Sequence, residues 1–259
     1  MNAALFSDPL MLAPLAAFGL IFGSFVTALS YRLPRGESVA HGRSRCAACG
    51  HTLTARDLVP VLSWIAHGGA CRYCGTKVSW RYPAIEATTM ALFVAAGFIV
   101  REPLHLLLLL AATPVMVALA VIDLEHRRLP NGLVAALAVL AVIWRAVNDG
   151  GVLAGFAAAA AVLVIGVALN AAYQALKGKA GLGMGDTKLF AAAGMALAMG
   201  PFLLFAALAG VSGVVFGAIW RARTDSTQFP FGPAILAALW VCLAAGEQLL
   251  QRLTLLFAN

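Results

Sequence analysis

Charge is what this sequence has least of. Only 11% of its 259 residues are Asp, Glu, Lys or Arg, while 62% are hydrophobic. A soluble domain carries about 25% charged residues, so this shortage excludes a water-facing surface over most of the chain. Acid is scarcer still, with six Asp and five Glu in all. No basic block is interleaved with aromatics, so the net charge of +7 does not point to nucleic acid. No GxGxxG follows a strand, so no motif marks a Rossmann-type cofactor pocket. The first residues lack a basic start, and the apolar block to Tyr31 has no clear small-residue cleavage site. That block reads as a retained first span, not a signal peptide. A strong internal repeat is also missing, and the alanine run 157–161 reads as helix filler that permits close packing.

What the sequence does have is long apolar blocks of membrane-crossing length. Eight spans are expected, at about 9–30, 83–100, 103–122, 129–147, 152–176, 187–200, 201–220 and 231–255. The sixth is short, and Gly194, Gly200 and Pro201 interrupt it. The fold class is therefore all-α, a polytopic membrane helix bundle with one polar loop at about 31–81. Lys and Arg fall unevenly about these spans. The loop holds Arg32, Arg35, Arg43, Arg45, Arg56, Arg72, Lys77 and Arg81. Arg127, Arg128, Lys177, Lys179, Lys188, Arg221 and Arg223 fall on the same side, leaving Arg101, Arg145 and Arg252 for the other. The positive-inside bias then puts the loop in the cytoplasm and both termini outside.

The loop carries Cys46-Ala-Ala-Cys49 and Cys71-Arg-Tyr-Cys74, each followed by glycine. Two such turns present four thiolates with the tetrahedral geometry of a structural zinc site. Two disulfides or four buried thiols are the competing readings, and a reducing cytoplasm disfavours the first. His51 is a further possible ligand. Cys242, inside the last span, reads as a small buried hydrophobe.

Two of the few acids sit at membrane borders. Asp123 ends the third span and Asp186 opens the sixth, within Gly183-Met184-Gly185-Asp186. An ionisable group at membrane depth is costly and marks function. Two carboxylates sharing a site hold one proton between them, a state suited to peptide hydrolysis. The glycines would allow unwound backbone and close approach of an extended peptide. Structural readings stand beside this one: Asp186 as a helix N-cap, Asp123 paired with Arg127, or Glu125 in place of Asp123.

Around these residues the chain resembles the type IV prepilin peptidase family, the prepilin leader peptidase/N-methyltransferases. The resemblance runs from Gly23-Ser24-Phe25 and Tyr31-Arg32-Leu33-Pro34, through Ser44-Arg45-Cys46 and Cys49-Gly50-His51, to Asp57–Ser63 and Arg81-Tyr82-Pro83 with Glu86. It continues through Asp123 to Leu129-Pro130-Asn131, Gly183–Leu189 (a GxGD motif) and Pro230-Phe231-Gly232-Pro233. Thr27 and Asn131 replace the Asn and Asp common in the family. The resemblance implies a membrane aspartic endopeptidase with Asp123 and Asp186 as its catalytic pair. It also implies zinc on Cys46, Cys49, Cys71 and Cys74, and S-adenosylmethionine as methyl donor. Its substrates would be type IV prepilins and type II secretion pseudopilins, cut and then N-methylated at the cytoplasmic face of the inner membrane. Glu86 is a candidate contact for the basic leader or the methyl donor, with a first-turn helix acid as its structural reading. The expected division is a first transmembrane helix at 1–30, a cytoplasmic zinc-binding, methyltransferase-associated domain at 31–82, and a transmembrane peptidase bundle at 83–259. A peptidase without methyl transfer, and a proton- or cation-coupled transporter or assembly scaffold, are the alternatives.

Overall fold

The computed structural model describes residues 9–39, 41–148, 151–178, 181, 183–224, 226 and 228–257. The reading of residues 1–8 as uncleaved, and Lys179 in the charge count, lie outside the described residues. The chain forms two compact units, Met1–Leu106 and Leu107–Asn259.

The first unit holds helix α1 (Pro9–Arg32), a short α2 (Leu62–Ala66), α3 (Arg81–Ile99) and the start of α4 (Pro103–His126). Helices α1 and α3 pack against each other. Between apolar helices in lipid, association rests on close van der Waals contact, which small residues permit. Gly19 and Gly23, one turn apart on α1, supply it. A Cβ at Gly19 would lie 2.6 Å from Met90 Cα, and one at Gly23 would lie 2.6 Å from Glu86 Cα. The pair is also tied by Arg81, whose Nη2 donates to the buried Ser30 hydroxyl at 2.8 Å.

The second unit holds the rest of α4, with α5 (Asn131–Asn148), α6 (Val152–Lys177), α7 (Met184–Ala196), α8 (Met199–Arg223) and α9 (Gly232–Phe257). Among the described residues, seven helices are long and apolar enough to cross a membrane, and α7 is not one of them. Its 13 residues reach only about 20 Å at 1.5 Å per residue, against a hydrocarbon core of about 30 Å. The expected sixth span is thus a short inner helix, packed against α5, α6, α8 and α9. Thr187, Leu189 and Ala191 through Ala196 are all buried. A helix that ends within the membrane is tolerated where protein surrounds it. The break also falls earlier than Gly200-Pro201. Leu197 and Ala198 separate the helices, and Pro201 sits in the first turn of α8, where its missing N–H costs nothing.

Helix α6 shows how α7 is enclosed. Its buried residues are Gly155 and Gly166. A Cβ at Gly155 would lie 2.9 Å from the Met195 carbonyl oxygen, and one at Gly166 would collide with the Thr187 methyl. Three turns apart, these glycines let α6 lie along the whole of α7. The remaining faces of α6 expose Leu153, Phe156, Val164, Ile165 and Leu169, as a lipid-facing helix does.

Candidate active site and metal centre

In the second unit the last turn of α4, the first turn of α7 and the start of α9 converge. Asp123 is buried, whereas Glu125 two residues on is exposed, which separates the two candidates. The Asp123 carboxylate has a specific partner: its Oδ2 accepts the backbone N–H of Gly232 at 2.9 Å. Gly232 opens α9, so the carboxylate sits where a helix presents unpaired amides and the positive end of its dipole. A side chain there would displace the carboxylate, because a Cβ would lie 2.7 Å from Asp123 Oδ2 and 3.0 Å from Cγ. Phe231 beside it is wedged among Phe190 and Phe229, with ring centroids 6.2 and 6.1 Å away, which holds the Gly232 amide in place.

Asp186 is the third residue of α7, whose N-cap is Gly183. It is therefore not the N-cap itself. Its carboxylate turns back to the Gly183 backbone N–H and lies within Coulombic range of Asp123. Gly183 is extended beside the Asp186 carboxylate, whereas Gly185 lies within the helix that begins at Met184 and serves room. A Cβ at Gly183 would lie 3.0 Å from Asp186 Oδ2, and one at Gly185 would lie 2.9 Å from Leu129 Cδ1. Leu129 follows the Asp123 turn, so the Gly185 gap is where the two acid-bearing segments touch. A second tie is the 2.8 Å hydrogen bond from Lys188 Nζ to Asn131 Oδ1.

The expected Asp123–Arg127 pairing takes another form. Arg127 closes the helix through its backbone N–H on the Asp123 carbonyl at 2.8 Å. Its guanidinium donates to Ser226 Oγ at 3.2 Å and acts on Asp123 only from a distance. Phe231-Gly232 lies in a motif legible from the sequence, but the role of Gly232 is not. Its clue was a glycine directly before a helix-starting proline, a signal for local backbone that says nothing of a partner 109 residues away.

In the first unit, Cys46, Cys49, Cys71 and Cys74 come together, all four Sγ atoms within 4.8 Å of one another. The two turns are built alike. Gly50 N–H donates to the Cys46 carbonyl at 2.9 Å and Gly75 N–H to the Cys71 carbonyl at 2.8 Å. Both glycines have φ near +70°, a conformation that costs a side-chain-bearing residue. The sulfurs feel these turns. Backbone amides of Cys49 and Ala48 lower the Cys46 thiol's pKa. The hydroxyl and amide of Thr76 bring Cys74 down to about 6. At Cys49 the His51 amide favours the thiolate, but desolvation and the adjoining sulfurs outweigh it and push that thiol up to about 11. Four thiolates this close need a cation. Tetrahedral ligands at a zinc–sulfur distance of about 2.3 Å would stand roughly 3.8 Å apart, and Cys46 Sγ and Cys74 Sγ are 3.9 Å apart. The donor set and spacing fit a metal ion. His51 stands outside the cluster, its ring stacked on Tyr73 with centroids 3.6 Å apart.

Asp57 ties the segment after the first turn to the second turn. It accepts from Thr54 N and Oγ1, both at 2.8 Å, and from Tyr73 OH at 3.0 Å. Arg72 Nη1 lies 3.3 Å from its other oxygen. The Thr54 amide foremost, then the Thr54 and Tyr73 hydroxyls and Arg72, hold its carboxyl down at about 2.

Glu86 is buried on α3 and far from idle. Its Oε2 accepts the Val61 N–H at 2.7 Å, and the Ser24 side chain also bonds it.

Comparison with known proteins fits both halves of this picture. A family model described as the bacterial peptidase A24 N-terminal domain matches residues 17–100. A second, described as the type IV leader peptidase family, matches residues 108–218. A prepilin leader peptidase/N-methyltransferase of Bacillus subtilis is 30% identical over 93% of this chain and 97% of its own length. A type 4 prepilin-like proteins leader peptide-processing enzyme of Escherichia coli is 34% identical over 84% of this chain and 87% of its own. The Dichelobacter nodosus prepilin leader peptidase/N-methyltransferase is 31% identical over 95% and 96%. No solved structure matches the chain. With two family models in register and relatives aligned nearly end to end, the chain belongs to the type IV leader peptidase family.

Proposed function

We propose that this protein is a membrane aspartic endopeptidase that removes the leader from type IV prepilins and related pseudopilins and N-methylates the new N-terminus. The observation that carries the peptidase half is that the carboxylates of Asp123 on α4 and Asp186 on α7 lie within Coulombic range of each other, with Asp123 oriented by the Gly232 amide. A carboxylate pair with one proton can work in both directions at once. The ionised member draws a proton from water as it attacks the scissile carbonyl, and the protonated member donates to the carbonyl oxygen. The pair titrates as a unit. Fixing one carboxylate by a backbone amide keeps the attack geometry without asking a mobile side chain to find it.

The methylation half rests on the names of the relatives, with S-adenosylmethionine as the methyl donor. Zinc is the metal we assign to the four cysteines, in a structural role, since four sulfur ligands leave no position for water. The Lys and Arg bias supports a cytoplasmic side for the cysteine loop and the acid-bearing connections, and we assign the membrane as the inner one. We assign residues 31–82 to the zinc-binding domain associated with methylation, and the peptidase pair to the bundle that follows. The test uses the full chain in lipid nanodiscs, given a prepilin-type peptide and labelled S-adenosylmethionine. The reading expects cleavage after the leader and label on the released N-terminus. Intact peptide would remove the peptidase assignment in favour of a transporter or scaffold. Cleavage without label would leave a peptidase alone.

A further inference from the structure

We propose that the segment Leu58–Ile65, together with Trp80, is an interfacial insert that dips into the bilayer beside α3 and seats the cysteine loop on the lipid surface. Helix α3 sets the depth. Its 19 residues span roughly 28 Å, barely the thickness of a hydrocarbon core. It has no turn to spare outside the membrane. Glu86 lies five residues into it, about 7 Å below its start. The Val61 amide is bonded to the Glu86 carboxylate, which a helical side chain carries back toward the helix start, so the turn at Pro60–Leu62 is held within the first turns of α3. Interfacial elements bury their apolar faces about 5–10 Å into the headgroup boundary.

The surface of the segment agrees with that depth. Leu62 and Ile65 are each 62% exposed, Trp80 is 74% exposed, and Leu58 and Val59 are exposed as well. Among the described residues between α1 and α3, the only other large exposed hydrophobic is Tyr73, which stacks on His51 and bonds Asp57. The apolar surface of the loop is therefore gathered in one place instead of scattered. Trp64 Nε1 donates to the Val78 carbonyl at 3.0 Å, which fastens α2 next to Trp80 at the mouth of α3. Tryptophan is enriched at that level of a bilayer. The loop 33–80 carries six Lys and Arg against two acids, which suits anionic headgroups.

Backbone at this depth is costly unless it is bonded, and the turn itself is bonded. Pro60 has no N–H. Leu62 N–H reaches the Pro60 carbonyl at 2.6 Å, Ser63 N–H the Val59 carbonyl at 3.0 Å and Ile65 N–H the Val61 carbonyl at 3.0 Å. Val61, with φ at 60°, points its amide away from this run, and Glu86 takes it. The strained valine and the buried glutamate thus have one explanation: Glu86 is a positioning residue that holds the insert at depth.

The test places the full chain in nanodiscs of phosphatidylethanolamine and phosphatidylglycerol, doped with a phospholipid carrying a diazirine near the head of its acyl chain. After illumination, adducts are mapped by peptide mass spectrometry. The peptide containing residues 58–65 should be labelled about as well as the exposed Phe18–Phe22 face of α1 and several-fold above residues 43–54. Labelling no higher than that of 43–54 would overturn the insert. Glu86→Ala should cut the 58–65 yield several-fold while Glu86→Gln retains it, and an unchanged yield in Glu86→Ala would overturn the role given to Glu86. Leu62→Glu with Ile65→Glu should lose the labelling while keeping bound metal, so a failure of the glutamate variants to fold would not shelter the proposal.

Discussion

The cysteine cluster and the aspartate pair are assembled by opposite means. Each cysteine turn is a local object: five residues, one glycine at positive φ, one backbone hydrogen bond, and sulfurs already aimed inward. The cluster then needs only two such turns brought together, and Asp57 ties the segment after the first turn, at Thr54, to Tyr73 and Arg72 of the second. The aspartate pair has no local form. Asp123 ends one helix, Asp186 begins another, and the amide that orients the first belongs to a third helix. Its integrity depends on the packing of α4 to α9 and on glycines that make room. A motif of the first kind tolerates changes elsewhere in the fold, and one of the second kind does not.

The comparison can be broken at four points, taken by size of effect. Cys46→Ser removes a ligand outright and should abolish stoichiometric metal binding, read by elemental analysis of the purified protein. If the two sites are independently built, the helices should stay folded by circular dichroism. Gly232→Ala should be the severe lesion of the other site. Its methyl would sit 2.7 Å from Asp123 Oδ2, and a displacement of about 1 Å at a reacting group costs roughly 100-fold in rate. Metal content should be untouched. Cleavage at the wild-type rate would mean that the Gly232 amide does not orient the pair.

Asp57→Asn should weaken metal affinity about tenfold, the lower end for partners that position ligands, measured by chelator competition. Its pH dependence has a definite sign. The folded carboxyl ionises at about 2 against an ordinary 3.8, so the unfolded loop takes up the proton first. The stability that Asp57 adds is complete above about pH 4 and is lost as pH falls towards 2. In metal-free protein, the difference between wild type and Asp57→Asn in amide protection of residues 51–54 should vanish over that range. A difference that persisted below pH 2 would contradict the assignment. The smallest effect belongs to Gly166→Ala, whose methyl meets the Thr187 methyl. Overpacking there should cost about 1 kcal/mol, read as a lower thermal midpoint, with cleavage reduced and metal content unchanged.

What could be read in the sequence follows the same division. Apolar block length located every long helix to within a few residues, because a membrane span needs no partner to declare itself. The cysteine spacing announced its site because the chemistry is local. The border position of Asp123 and Asp186 made a shared site geometrically possible, and the family resemblance raised it to an expectation. The α7 segment was harder. Its 13 residues are apolar enough to look like a poor span, and only the enclosing helices show that it stops inside the bundle. The Gly232 contact was not legible at all, since nothing in Pro-Phe-Gly-Pro specifies which side chain its amide will meet. Glu86 was visible as an acid in an apolar run, but its partner Val61 lies 25 residues upstream in an irregular loop.

Hydrolysis is assigned to the two aspartates. Asp123→Asn and Asp186→Asn keep the size of each side chain and remove its ability to exchange a proton. Each variant, purified in nanodiscs with metal bound and helices intact, should leave a prepilin-type peptide uncut under conditions where the wild type cleaves it fully. Cleavage at the wild-type rate by either variant would contradict the central claim that these two carboxylates carry out the hydrolysis.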